Sequence, residues 1–214
     1  MLLRTLRYGV IALWATLSLT LAAPLHPSCI GALTAEGTPV ELAVPGAPIL
    51  RHATAQDIPA LIALLQTEFG YGANDTAFEA IPTKYAALAD ELAKPLNERS
   101  QEYWVIAAPD GTLLGGIGLA YYYSHDPTRH WWLEWFTLSP TLRGHRLGGA
   151  LVEFIENRAR NHGAVGLNLY TSTSPQEATA NLLYAKRGYA IYRSLPDTLV
   201  DGTAIEDLFR YKQF

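Results

Sequence analysis

The sequence predicts a mixed α/β fold, a largely antiparallel central sheet flanked by helices. Three observations lead there. Two strand-like runs, Tyr103 to Ala107 and Leu113 to Tyr123, are joined by Pro109-Asp110-Gly111, a strong hairpin turn. Segments with apolar residues at helical spacing alternate with such strands. A longer strand, Trp131 to Leu138, runs through a glycine-containing turn straight into an amphipathic helix. Strands interleaved with helices, with hairpins at both ends, describe a mixed sheet.

Taken in order, the chain begins with Arg4 and Arg7 ahead of an uncharged apolar run from Tyr8 to Ala23. That run is about 16 residues, against the roughly 20 that a spanning helix needs. With Leu21-Ala22-Ala23 offering a small residue at a possible cleavage point, residues 1–23 read as a signal peptide or a membrane anchor touching the bilayer through residues 8–23. Pro24, Pro27, Pro39, Pro45 and Pro48 mark a Pro-rich linker over 24–48. The domain proper is expected over 49–214.

Within it, Ile49 to Ala53 reads as a strand. Asp57 is expected to cap a helix carrying Ile58, Leu61, Ile62, Leu65 and Phe69, ended by Gly70 and Gly72. Tyr85 to Leu92 is a second helical stretch, stopped by Pro95. After the hairpin and the long strand, a helix with the stripe Leu147, Leu151, Phe154, Ile155 and Ala159 runs to His162. Leu167 to Tyr170 is a strand and Pro175 to Arg187 a helix. Tyr189 to Arg193 and Leu208 to Lys212 close the sheet.

Composition excludes several function classes. The chain has 214 residues, 49% hydrophobic, with a formal net charge of −4, so no basic surface points to nucleic acid. Cys29 is the only cysteine, and the six histidines show no zinc-ligand spacing, so neither an intrachain disulfide nor a metal site is expected.

The informative stretch is Leu138-Ser139-Pro140-Thr141-Leu142-Arg143-Gly144-His145-Arg146-Leu147-Gly148-Gly149. A strand end followed at once by a helix start presents unpaired N–H groups and the positive end of a helix dipole, which suits a phosphate. Gly144 and Gly148 would let a ligand approach the backbone, and Arg143 and Arg146 could add charge-assisted hydrogen bonds. Glycines that merely make a tight turn explain the same residues. There is no Lys-Ser/Thr after the glycines and no GxGxxG spacing, which excludes the nucleotide P-loop and the dinucleotide fingerprint.

Arg143 to Leu151 resembles the coenzyme A pyrophosphate loop of the GNAT superfamily of N-acetyltransferases, Q/R-x-x-G-x-G/A, with Arg146 where the pattern has its central glycine. The resemblance extends over the whole domain. It implies a GNAT-like acyl-CoA N-acyltransferase fold, with acetyl-CoA as co-substrate and no metal. Backbone amides from about His145 to Gly149 would hold the pyrophosphate, within a cofactor-binding set of Arg143, Gly144, His145, Arg146, Leu147, Gly148 and Gly149. Phe136, Thr137 and Leu138 would pair with the pantetheine arm as if it were an added strand.

Acetyl transfer from a thioester to an amine poses two proton problems. A primary amine of pKa near 10.4 is about 99.9% protonated at pH 7, so a base must expose its lone pair. The departing thiolate benefits from a donor as charge builds on sulfur. Ala180-Asn181-Leu182-Leu183-Tyr184-Ala185-Lys186-Arg187-Gly188-Tyr189 resembles the family's motif A-x-x-L-Y-x-x-x-G-F/Y, which implies that Tyr184 is that donor. A tyrosine on a helix's core face would look the same. Family members often have asparagine at the position of Glu177; here Ser174-Pro175-Gln176-Glu177 reads as a capping box.

Glu134 is the base candidate. Strand alternation places it on one face with Trp132, Phe136 and Leu138, where a carboxylate is either functional or paired. Its position resembles the glutamate of Leu-Glu-Asp in small-amine acetyltransferases, with Trp135 replacing the aspartate.

The expected activity is acetyl transfer from acetyl-CoA to a small-molecule amine by direct attack. Acetylation of a protein N-terminus or lysine is the nearer alternative, and a non-catalytic acyl-CoA-binding module the alternative of another class. An acetyl-CoA substrate places the domain in the cytoplasm, membrane-anchored if residues 8–23 insert; a cleaved signal would instead export it.

Overall fold

The structure, a computed structural model, describes residues 39–69, 87–95, 98–199 and 201–214. The segment expected as signal or anchor, Gly70, Gly72 and the start of the helix expected at Tyr85 lie outside the described residues. Among the described residues, no helix is long and apolar enough to cross a membrane.

Eight strands form one sheet: β1 (Val40–Glu41), β2 (Ile49–His52), β3 (Gln101–Ala107), β4 (Leu113–Tyr121), β5 (Trp131–Leu138), β6 (Gly166–Ser172), β7 (Ala190–Thr198) and β8 (Ala204–Gln213). Their spatial order is β1-β2-β3-β4-β5-β6-β8-β7. Every neighbouring pair is antiparallel except β5 and β6, which are parallel and register at the single pair Trp132 and Asn168. The helices are α1 (Ile58–Phe69), α2 (Leu147–Asn161) and α3 (Ala178–Lys186), and residues 87–93 are also helical.

Alternation along β3 explains the two-sided core. Trp104 and Ile106 face α2, whose Leu147, Leu151, Phe154 and Ile155 bury against them together with Ile117, Leu119, Leu133, Leu167 and Leu169. Tyr103, Val105 and Ala107 face the other way, onto Ile58, Leu61 and Leu65 of α1 and onto Leu88 and Leu92. The apolar stripe expected for α2 and the residues Ile58, Leu61 and Leu65 of the α1 stripe are thereby buried, with Ile62 partly so, the arrangement that stabilises an otherwise marginal helix.

Three local details differ from expectation. Thr54, not Asp57, is the N-cap of the turn leading into α1. Asp57 caps from inside that turn, accepting from Thr54 N at 2.8 Å and Thr54 Oγ1 at 2.9 Å while Arg51 grips both its oxygens at 2.8 Å. β7 is longer than expected because Pro196 sits in the outermost strand, where a missing N–H costs no ladder bond. The residues expected as linker also contribute to the sheet. Val40 and Glu41 pair with β2, and Val40 and Leu42 are buried.

That last difference is testable. A chain beginning at Gly46 should be less stable than one beginning at Pro39 by about 2–5 kcal/mol, the scale of deleting one buried leucine. Urea unfolding of the two chains reads the difference directly.

Candidate active site

The site is organised by one extra residue in β5. Gly118 pairs with Glu134 and Gly116 with Thr137, so Ile117 alone opposes Trp135 and Phe136. Trp135 takes a φ of 46° at this β-bulge. The bulge breaks the expected alternation. Leu133 belongs to the α2-side core, and Phe136 and Leu138 pack on that same core, whereas Trp135 packs on the α1 side. Glu134 therefore does not share a face with Phe136 and Leu138; it stands with Trp135 on the other side of the sheet.

Tyr103 holds the bulge. Its hydroxyl donates to the Trp135 carbonyl at 2.6 Å. Its ring lies over β4, where a Cβ on Gly116 or Gly118 would come within 2.8 or 2.7 Å of it. Gly116 and Gly118 are thus required by close approach of an aromatic ring, and Gly115 by the approach of Leu138 and the Thr137 carbonyl at 2.9 Å.

Beside Tyr103 opens a cleft of about 280 Å³ lined by Leu88, Gln101, Tyr103, Tyr122, Glu134 and Trp135. Tyr122 donates to Glu134 Oε1 at 2.7 Å. Burial first, and the Glu134 charge second, raise the Tyr122 hydroxyl's pKa well above its usual value, so Tyr122 serves Glu134 as a donor and keeps its proton. Tyr122 belongs to the aromatic run Tyr121-Tyr122-Tyr123, and its partnership with Glu134, 12 positions away on the neighbouring strand, is one that short sequence windows do not reveal.

On the opposite side of the bulge, β5 ends beside a helix start. Pro140–Leu142 form a 3₁₀ turn, Gly144 takes φ 81° and Arg146 φ 60°, and α2 begins at Leu147 with no side-chain cap on its first N–H groups. Arg146 occupies the left-handed region that its glycine counterpart in the family pattern would enter without strain. Arg143 is engaged within the protein: its Nε donates to the Leu138 carbonyl at 2.9 Å and its guanidinium pairs with Glu68. His145 Nδ1 contacts the Arg143 carbonyl at 2.9 Å.

Gly144 and Gly148 separate the two explanations of the glycines. Gly144 needs its positive φ. Gly148 has no such φ, and a Cβ there would meet Leu183, Phe136 and Leu138 at 3.5–3.8 Å, ordinary contact distances. The fold does not demand glycine at 148, although glycine in a helix costs about 1 kcal/mol relative to alanine.

Beyond Trp132–Asn168, β5 and β6 part, so Phe136 to Leu138 have an edge that β6 does not register against. Asn168 clasps the narrow end, its Nδ2 donating to the carbonyls of Thr128 and Trp131 at 2.6 and 3.2 Å.

Tyr184 lies on α3, 4% exposed, its ring edge-on to Tyr189 at 5.7 Å. Burial and, secondarily, the Glu177 carboxylate raise its pKa well above the usual value, while Arg210 opposes the shift. Glu177 reaches back to Ser172 N instead of closing the box expected with Ser174. Leu183, the leucine of the motif that carries Tyr184, packs nearest Gly148. The structure thus gathers Phe136, Leu138, Gly148 and Leu183 at one point, with Tyr184 beside them on α3 and Glu134 across the bulge.

A family model described as "Acetyltransferase (GNAT) family" matches residues 58–189. The chain belongs to the GNAT acetyltransferases. It is an acyltransferase, from a family that uses acetyl-CoA and acts on amine acceptors.

Solved structures share the GNAT fold at low identity. The PaiA N-acetyltransferase of Thermoplasma acidophilum, in complex with coenzyme A, is 19% identical with a TM-score of 0.55, covering 77% of this chain and 98% of its own. A spermidine N-acetyltransferase SpeG chimera from Vibrio cholerae and hSSAT is 13% identical at TM-score 0.56, covering 77% and 93%. The ribosomal-protein-alanine N-acetyltransferase of Brucella melitensis is 20% identical at TM-score 0.58, covering 77% and 99%. No curated protein sequence matches significantly. Among the described residues, no group of three or more His, Cys, Asp or Glu side chains could hold a metal ion.

The left-handed Arg146 gives a prediction for this GNAT loop. Arg146→Gly should leave stability unchanged or raise it by up to about 1 kcal/mol, because relief of the αL strain offsets the entropy of glycine. Thermal melting of the variant checks this.

Proposed function

We propose that the protein transfers acetyl from acetyl-CoA to the amine of a small molecule by direct attack on the thioester. Gly148 carries the reading: a glycine that the fold does not require, at an uncapped helix start, beside the parted end of β5. Backbone N–H groups of the loop from Gly144 to Gly149 would bind the pyrophosphate through the helix dipole. Arg143, already held by Glu68 and Leu138, would set the loop's shape and not be the main anion ligand. The pantetheine arm would lie along Phe136 to Leu138 as an added strand.

In this reading the acceptor amine enters the cleft beside Tyr103, whose volume of about 280 Å³ suits a small molecule. Glu134, directly or through water, takes the ammonium proton, and the hydrogen bond from Tyr122 stabilises its charged form. The amine nitrogen attacks the carbonyl carbon, the C–S bond breaks, and the electron pair leaves on sulfur. The Tyr184 hydroxyl donates to that sulfur. Its raised pKa makes it a firmer keeper of its proton than a free tyrosine. Its help therefore starts as a hydrogen bond that strengthens as the thiolate forms, and completing the proton transfer to sulfur requires a nearby positive charge to offset that rise.

Two sets of variants test the reading. Gly148→Asp should abolish CoA binding, measured by calorimetry, while circular dichroism shows an intact fold. Unchanged affinity would refute the loop as the pyrophosphate site. Tyr184→Phe should lower kcat by roughly ten- to a thousandfold with little change in KM for acetyl-CoA. Glu134→Gln should lose the basic dependence of its pH–rate profile and partly recover at high pH as free amine accumulates. Thiol release with small amines and with peptides separates the two acceptor classes, and CoA binding without thiol release under any acceptor would leave a non-catalytic module.

A further inference from the structure

The residue that the mechanism leaves unused is Arg210. It is 6% exposed on β8, on the side of the sheet that faces α3, alongside buried Leu208. One guanidinium nitrogen donates to the Tyr189 carbonyl at 3.3 Å and the other to Asn181 Oδ1 at 3.1 Å. Its Nε is buried with no hydrogen-bond partner. Among the described residues no carboxylate forms an ion pair with it. The other buried charges among the described residues behave differently: Asp57 is met by Arg51, Glu102 by Arg158 and His162, and Glu156 by Arg187 and Lys212.

A buried charge compensated only by neutral dipoles is costly, which makes its retention a pointer to a charge that comes and goes. The geometry says where that charge would arise. Asn181 lies one helical turn before Tyr184 and therefore on the same face of α3. The Tyr189 carbonyl lies just past the end of that helix, and Tyr189 N bonds to the Tyr184 carbonyl. The guanidinium thus spans the α3 segment that bears Tyr184. Burial lowers the Arg210 pKa, and the Tyr184 hydroxyl is the group that raises it.

We propose that Arg210 is a positioning residue of the acetyl transfer, a fixed positive charge that lets the Tyr184 hydroxyl release its proton to the departing thiolate. This rests on Tyr184 being the donor. As the C–S bond breaks, its electron pair goes to sulfur, the proton passes from the Tyr184 oxygen to sulfur, and the O–H electron pair stays on the phenolate. Arg210 stabilises that phenolate until it is reprotonated, the balancing proton being the one that the amine gave up. The unmatched charge in the resting protein becomes matched only during turnover.

The test compares Arg210→Gln and Arg210→Lys in the wild-type and Tyr184→Phe backgrounds, measuring kcat, KM for acetyl-CoA and melting temperature. Arg210→Gln should lower kcat by about 10- to 100-fold in the wild type, the scale of one charge acting over several ångströms at an effective dielectric near 20. KM should stay within about twofold. On Tyr184→Phe, where no hydroxyl remains to assist, the same substitution should cost little. Arg210→Lys, which keeps the charge, should recover much of the loss. Equal losses in both backgrounds, or a lysine variant no better than glutamine at a similar melting temperature, would make Arg210 a structural clamp and overturn the proposal. If Arg210→Gln retains full kcat while Tyr184→Phe does not, Arg210 alone is eliminated. Full kcat in Tyr184→Phe eliminates the donor, and the proposal with it.

Discussion

One side-chain to main-chain hydrogen bond, from the Tyr103 hydroxyl to the Trp135 carbonyl, holds the irregularity on which the site depends. An uninterrupted β5 would put Glu134 on the same face as Phe136 and Leu138, inside the α2-side core. The extra residue reverses the phase of everything after it. Glu134 opens into the cleft while Phe136 and Leu138 pack beneath the start of α2. A single strand can then serve two compartments, one for an amine and one for the thioester. Gly116 and Gly118 of β4 belong to the same device, because each missing Cβ leaves room for the Tyr103 ring that makes the bond.

Buried charge is handled in two ways across the molecule. Glu102 and Glu156 are nearly inaccessible, yet the pKa of each is lowered: burial pushes it up, and the hydrogen bonds of His162 and Arg158, or of Arg187 and Lys212, more than reverse the shift. These clusters tie β3 to α2, and α2 to the chain after α3 and to β8. Each carboxylate has two cationic partners, so removing Glu102 or Glu156 would strip the partly buried cations around it of their counter-ion and cost about 3–5 kcal/mol. Such networks fix elements in place. Arg210 differs by having dipoles in place of a counter-ion, which distinguishes a residue poised for changing charge from one that welds a fold.

Much of this was legible in the sequence because it rested on local pattern. The strand from Trp131 to Leu138 has the bounds that its composition announces, and the α2 stripe is buried as its spacing requires. The loop and Tyr184 were visible through short motifs. Hidden features were those in which one residue changes the count or the partner lies far along the chain. The bulge leaves Trp-Leu-Glu-Trp-Phe-Thr-Leu looking like plain alternation, since its extra residue is itself a good strand former. Val40 and Leu42 were masked by the prolines around them. Arg158 is 56 positions from Glu102, and no window joins them. Arg210 reads as a surface residue, because burial of a charge is decided by what packs over it.

The two proton transfers of the proposed reaction also explain why the site is divided. Glu134 must accept a proton from an ammonium that arrives from water, so a half-buried carboxylate, stabilised by the Tyr122 donor, suits that side. The sulfur leaves on the core side, where water is scarce and Coulombic effects are strong. There a tyrosine is hard to ionise, because burial raises its pKa and Glu177 raises it further. A hydroxyl in such a place assists a thiolate well only if something lowers the cost of sharing its proton. The α3 segment supplies no cation on that face, since Lys186 and Arg187 lie at its end and Arg187 is already spent on Glu156. β8 supplies it from the neighbouring strand. The same dryness that strengthens the donor's hydrogen bond therefore makes a nearby positive charge necessary, and Arg210 is the residue placed to provide it.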